Sequence, residues 1–357
     1  MLPYFLIFMF ASYLFVFEQK NNQFLLWLFF ALFVFLVGLR DMIGGFDVYI
    51  YGELYESNAI QILNYGAFEK GFKLYLLALK NFSNNRHFMF FVTAFVMAFL
   101  HFRIIKKSTP ILFFSLFIYF CKFFLFSFVY LRQGLAIALI WTAILYLDKK
   151  YIRFIFLVGI AVCFHKSAIL FAPFYFISRV KIPTGVMISV AIITFFISIT
   201  SLANFLFDFL ADSVNDEKFA RYSSKSADVN FFYLFEILLL VILVLFFKAK
   251  LYQSKNGIVV LNGLYCYIII SILSLTNATY VRFTWYFLIF IIIGIPMIYQ
   301  EIASTINKRH FKFAVYTYYS LLFFRLLTFY DDGDFLPYKS IFQDFERNGR
   351  WEFMEYR

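Results

Sequence analysis

LRQGLAIALIWTAILYLDKKYIRFIFLVGIAVCFHKSAI, residues 131–169, decides how the rest of the chain is read. Two apolar runs begin at Arg132-Gln133-Gly134, turn at the basic Lys149, Lys150 and Arg153, and end at His165-Lys166-Ser167. An arginine and a histidine are costly inside segments this apolar, so each needs a polar interior or a route to the membrane surface. A hairpin satisfies both: two antiparallel arms bring Arg132 and His165 to the same side and leave the lysines on the other. At 1.5 Å per residue the arms are short for a full crossing, about 20 Å each, which sets His165 in a recess below the surface.

Working outward, the composition is that of an integral membrane protein. Hydrophobic residues make up 63% and charged residues 15% of the 357 positions, against roughly 25% charged in soluble domains. The 57 phenylalanines fit lipid-facing and interfacial packing and carry no functional weight. Cys121, Cys163 and Cys266 lie singly in apolar runs, so no disulfide framework or zinc site is expected. No signal-peptide cleavage pattern is evident, and the first apolar run reads as a retained helix.

Polar interruptions cut the chain into about twelve apolar segments: 2–17, 23–39, 88–102, 110–128, 131–147, 151–164, 167–178, 184–207, 230–247, 257–275, 281–299 and 312–329. The expected fold is therefore an all-α integral membrane protein, one polytopic domain over 1–357 with about 12 transmembrane helices. With the first connection in the cytoplasm, the connections on that side carry 15 basic residues against Glu18, Asp148 and Glu301. The other side holds 17 basic and 18 acidic residues. That is the positive-inside pattern, with both termini outside. The net charge of +11 is thus a topology signal, with no tract that argues for nucleic acid.

Three extended segments fall outside: a 40–87 loop, a polar, lid-like 208–230 loop and a 330–357 tail. Within the first, FKLYLLALKNF (72–82) is too short to span and reads as an interfacial or re-entrant helix. The D-x-D within Asp331, Asp332 and Asp334 reads as an acidic turn, and Gly134 with Ala138 as a helix-packing pair. No metal or cofactor is expected.

The residues that look out of place cluster on the outer side: Arg40, Asp41, Asp47, Glu69, Arg132, His165, Lys166 and Arg282. This points to an outward-facing cavity. Nucleotide sugars and ATP are cytoplasmic, so group transfer there needs a lipid-linked, pre-activated donor. Guanidinium groups suit a lipid diphosphate, gripping phosphate oxygens in pairs while staying charged. The diphosphate leaves readily once its charge is stabilised, and a carboxylate or histidine can take the proton of an acceptor hydroxyl.

GLRDMIGGFDVYIY, FEKGF, YLRQGLAIAL, FHKSAILFAPFYF and YVRFTWYF occur in that order between Leu36 and Ile293, and in this the chain resembles the EpsG-like group of Wzy-type polysaccharide polymerases. One departure is that the R-x-x-x-G-x-D spacing is stretched to Arg40, Gly44 and Asp47, so Asp41 or Asp47 can hold the acidic role. The resemblance implies a bacterial inner-membrane enzyme, its site open to the periplasm or cell exterior. It would join undecaprenyl-diphosphate-linked oligosaccharide repeats, with a separate chain-length-regulating co-polymerase as a partner. Under it Arg40, Arg132 and Arg282 hold diphosphate, His165 or Asp47 is the base, and Glu69 and Tyr51 shape the sugar site. An O-antigen ligase and a lipid-linked oligosaccharide flippase are the rival readings, the latter expecting polar residues on both faces. Alkaline phosphatase fused after Asn58 should be active in cells and one fused after Lys107 inactive; the reverse pattern would overturn the charge argument.

Overall fold

The computed structural model describes residues 1–17, 22–148, 150–200, 202, 205, 231–254, 256–276, 280–329 and 334–342. The 208–230 loop, Asp331 and Asp332, and the tail beyond residue 342 lie outside the described residues. The described residues form helices and short turns, with a single isolated β-bridge, Arg40 to Ser340.

Each of the twelve apolar segments contains helix, but only two helices among the described residues, Arg86–Ser108 and Val281–Glu301, are both long and apolar enough to cross a membrane. The others are mostly shorter apolar helices, and 167–178 is broken into a 3-10 helix (Lys166–Phe171) and a single α-turn (Phe174–Ile177). The reason is local: a proline at 173 lacks the amide that would continue the ladder.

The described residues fall into two compact units: Met1–Leu145 with Phe156–Ala168 and Ser304–Arg357, and Tyr146–Ile155 with Ile169–Ala303. The first unit contains α1 (Leu2–Val16), α2 (Gln23–Gly38), α3 (Phe46–Glu56), α4 (Ala59–Asn64), α5 (Lys70–Lys80), α6 (Arg86–Ser108), α7 (Leu112–Phe123), α8 (Phe126–Val129), α9 (Leu131–Ile144) and most of α10 (Tyr151–Phe164). The α-turn Phe174–Ile177 is α11. The second unit continues with α12 (Thr184–Ser198), α13 (Phe231–Gln253), α14 (Gly257–Leu273), α15 (Val281–Thr284) and α16 (Leu288–Glu301), and α17 (Thr305–Thr328) returns to the first.

In the first unit α6 is the central post, packing on α2, α3, α7 and α9. Gly134 faces Met97 across the α6–α9 contact, where an added Cβ would lie 2.3 Å from the thioether sulfur, so this glycine serves helix packing. Aromatic rings fill the seam of α1, α7 and α17: Phe8 stacks on Phe323 at 5.5 Å and meets Phe117 at 6.2 Å. In the second unit α14 packs on α12, α13 and α16. Its buried Asn262 donates to the carbonyls of Ile177 (2.8 Å) and Val180 (2.9 Å), satisfying the frayed end of α11.

The 40–87 loop holds three helices rather than the one expected. α5 matches the amphipathic 72–82 segment, with Phe72, Leu76 and Leu79 buried. α4 is only six residues but is held by a capping box between Asn58 and Gln61. α3 has too even a mix of polar and apolar residues to betray one buried face.

Part of the 330–357 tail straps this loop. Asp41 N–H donates to the Lys339 carbonyl at 2.9 Å, Gly44 N–H to Asp334 at 2.8 Å and Ile341 N–H to Leu39 at 3.1 Å, while Tyr4 and Tyr338 donate hydroxyls to the Phe335 and Leu36 carbonyls. Inside the strap Arg40 is wholly buried. It donates to the carbonyls of Val37 (2.5 Å), Phe128 (2.6 Å) and Ile43 (3.1 Å), with Phe90 4.4 Å from the guanidinium carbon. Burial pushes its pKa down to about 9, which leaves it charged at neutral pH. Arg40→Met should destabilise detergent-solubilised protein by about 2–4 kcal/mol, through the orphaned Phe128 and Ile43 carbonyls, in thermal unfolding.

Candidate functional site

Glu69 precedes α5 as its N-cap, with extended backbone (φ −68, ψ 151). A carboxylate in that position ordinarily accepts from the amides of its own first turn. This one does not. Its carboxylate points away, between the first turn of α9 and the end of α10. Oε2 accepts from Arg132 Nη1 at 2.5 Å; Oε1 lies 3.0 Å from His165 Nδ1 and accepts from the Lys166 backbone N–H at 3.3 Å.

Gly71 makes this reach possible. An added Cβ there would lie 2.7 Å from the Cys163 carbonyl oxygen, so α5 could not come this close to α10 with a side chain at that position. The approach is braced by Tyr75, whose ring meets Phe164 at 6.0 Å and whose hydroxyl hydrogen-bonds Thr93 of α6 at 2.9 Å. α10 ends at Phe164, and the change to 3-10 geometry turns the His165 ring and the Lys166 amide onto one carboxylate oxygen.

Arg132 is held on several sides. Nε donates to Tyr51 Oη at 3.2 Å, Nη1 also donates to the Ala67 carbonyl at 3.0 Å, and the guanidinium lies 4.8 Å over the Phe68 ring, on which Tyr51 stacks at 5.2 Å. Nη2 makes no hydrogen bond to the described residues. Exposure rises across the group in a useful order: Glu69 7%, Arg132 15%, His165 24%. The acid is sealed in and the two bases reach the surface.

Burial pushes the Glu69 carboxyl up, but the hydrogen bond from His165 and the charge of Arg132 outweigh it and hold the pKa down at about 2. Glu69 is therefore a permanent anion at neutral pH. An ionised carboxylate can only accept, so His165 donates to it from Nδ1. Burial pushes the Tyr51 phenol up, Arg132 opposing and Asp47 adding to it.

Tyr51, Glu69, Arg132, His165 and Lys166 thus come together, Lys166 by its backbone. Asp47 stands one helical turn before Tyr51 on α3, near enough for its charge to act on Tyr51 and Tyr65. Arg40 and the buried Asp41 lie in the strapped turn ahead of α3, where Arg40 is spent on carbonyls. Arg282 belongs to α15 of the second unit. Sequence reading did not single out Phe68 or Gly71 as parts of the site, although both belong to FEKGF; an aromatic directly before a loop glutamate was the available signal. Among the described residues no three His, Cys, Asp or Glu side chains gather as a metal site would require.

The pH response follows from Glu69. Its folded pKa is below the ordinary 4.5, so its ion pair stabilises the protein above about 4.5 and is lost as pH falls towards about 2. The melting temperature should drop across that window. Glu69→Gln, less stable at neutral pH by about 2 kcal/mol or more, should drop less across it.

The family model for EpsG matches residues 23–340 of this chain. No curated protein and no solved structure matches it.

Proposed function

The chain belongs to the EpsG family, a family of Wzy-like polysaccharide polymerases, and on that basis we propose that it joins polyprenyl-diphosphate-linked oligosaccharide repeats at the outer face of the cytoplasmic membrane, using the Glu69 cluster. The observation that carries this reading is a single buried carboxylate that holds an arginine on one oxygen and a histidine on the other. Family membership supports a membrane protein of polysaccharide biosynthesis and a glycosyltransferase-type polymerase. The substrates and residue roles are our reading of the geometry.

The acceptor hydroxyl of one lipid-linked repeat attacks the anomeric carbon of the other. His165 Nε2 takes the hydroxyl proton as the new C–O bond forms. The bond from that carbon to the diphosphate oxygen breaks, and the leaving group departs with the electron pair. Arg132 meets the developing charge through Nη2, the edge of the guanidinium not already engaged by Glu69, Ala67 and Tyr51. Glu69 touches neither substrate; it keeps Nδ1 protonated and stabilises the imidazolium that forms, as the acid of a catalytic triad does. Asp47 and Tyr51 border the acceptor sugar, and the Lys166 side chain adds positive charge toward the diphosphate.

Pre-orientation explains why a carboxylate is sealed here. A guanidinium and an imidazole fixed to the two oxygens of one carboxylate cannot drift apart, so the leaving-group site and the proton-accepting site keep a constant spacing.

With purified protein and a defined lipid-linked repeat, Arg132→Ala and His165→Ala should each cut chain elongation by roughly 100-fold or more. Tyr51→Phe should cost about tenfold or less. In cells the first two should accumulate single repeats on the carrier lipid. Wild-type chain lengths in both, at normal protein levels, would overturn the proposal; polymer on the carrier that fails to reach its final acceptor would favour a ligase.

A further inference from the structure

α2 and α6 run antiparallel, and their contact changes along its length. Near Gly38 they are pressed together: an added Cβ would meet the Phe91 Cα at 3.0 Å. Midway, Phe30 packs edge-on against Phe95 and Phe102, each at 5.6 Å. Towards the start of α2 and the end of α6, a groove of about 370 Å³ is lined by both helices. Its apolar walls include Trp27 and Phe30 of α2 and Phe99 of α6; its rim is Arg103, Lys106 and Lys107 of α6. Lys106 spans the mouth, donating to Gln23 Oε1 at 2.6 Å.

The chemistry of this groove is amphiphilic. Phe99, Arg103 and Lys106 follow one another at helical spacing, so one stripe of α6 passes from ring to guanidinium to ammonium. Neither α2 nor α6 contains an acidic residue that could neutralise the rim. Trp27 is 53% exposed, an aromatic wall with no protein over half of it. The volume falls in the usual range for small-ligand sites. The groove is also remote from the Glu69 cluster along α6: Arg103 stands ten residues after Thr93, about 15 Å along the axis. By the charge reading, this end of α6 is the cytoplasmic one.

We propose that the groove binds an anionic phospholipid. Arg103, Lys106 and Lys107 hold its phosphate, and an acyl chain lies on Trp27, Phe30 and Phe99. Basic residues over an apolar inter-helix recess meet the two demands of such a lipid, a negative headgroup and a chain. A water-soluble anion would use only the rim.

Trp27 supplies the probe. Full-length protein is placed in phosphatidylcholine vesicles containing brominated-chain phosphatidylglycerol or, separately, brominated-chain phosphatidylcholine. The Trp27 signal is the difference from Trp27→Phe. Brominated phosphatidylglycerol should half-quench Trp27 at a mole fraction at least about fivefold lower than brominated phosphatidylcholine. About 0.5 M salt, and separately Lys106→Gln with Lys107→Gln, should shrink that preference by at least half. Equal quenching of the Trp27 signal by the two lipids would overturn the proposal, as would equal quenching of the total tryptophan fluorescence of the wild type, which needs no variant to fold. A preference that survives both salt and substitution would overturn the assignment of the headgroup to the basic rim.

Discussion

The ion pair between Glu69 and Arg132 is the contact on which the candidate site of the first unit depends. It joins a loop helix, α5, to the start of α9, and through His165 and the Lys166 amide it joins both to the end of α10. A lone carboxylate at this depth would be driven to protonate. Three donors keep it ionised, and in return it fixes the position of each. Removing any one partner leaves the others with a charge the surroundings cannot solvate, so the cluster behaves as a unit.

The chain resolves the cost of a buried cation in two different ways. Arg40 gives its donors to three main-chain carbonyls and carries no carboxylate partner in those bonds; it closes the end of α2 against the end of α8. Arg132 gives Nε and Nη1 to a tyrosine, a carbonyl and a glutamate and keeps Nη2. Both lie over aromatic rings, Phe90 and Phe68, which stabilise a weakly hydrated guanidinium better than open lipid does. The difference lies in access: Arg40 is sealed at 0% exposure, and Arg132 remains partly open. The same residue type thus serves as a structural rivet at one site and as a candidate substrate contact at the other.

The phenylalanine-rich composition has a consequence for both. Aromatic side chains bring large area with few rotatable bonds, so a ring wall orders at little entropic cost. Phe68 supports Arg132 while stacking on Tyr51, and the Tyr75–Phe164 contact holds α5 on α10. At the far end of α6 the same ring chemistry lines an open groove rather than a closed seam.

The sequence by itself determined that the chain is helical and membrane-bound, because uninterrupted apolar length has few other uses. It also marked Arg132 and His165, because a charge inside such a run stands out. Glu69 was marked only as one of several outer-side carboxylates, since in a polar loop a carboxylate is ordinary; its place between Arg132 and His165 came from Gly71, which lets α5 reach Cys163. Arg40 looked equivalent to Arg132 until its acceptors were known, one of them 88 residues away. Antiparallel arms were expected to bring Arg132 and His165 to the same side; the link between the two runs through a third segment, at Glu69. Periodicity and composition are local and survive in the string of residues. Which donor meets which acceptor depends on distances across the fold, and only the tertiary structure decides those.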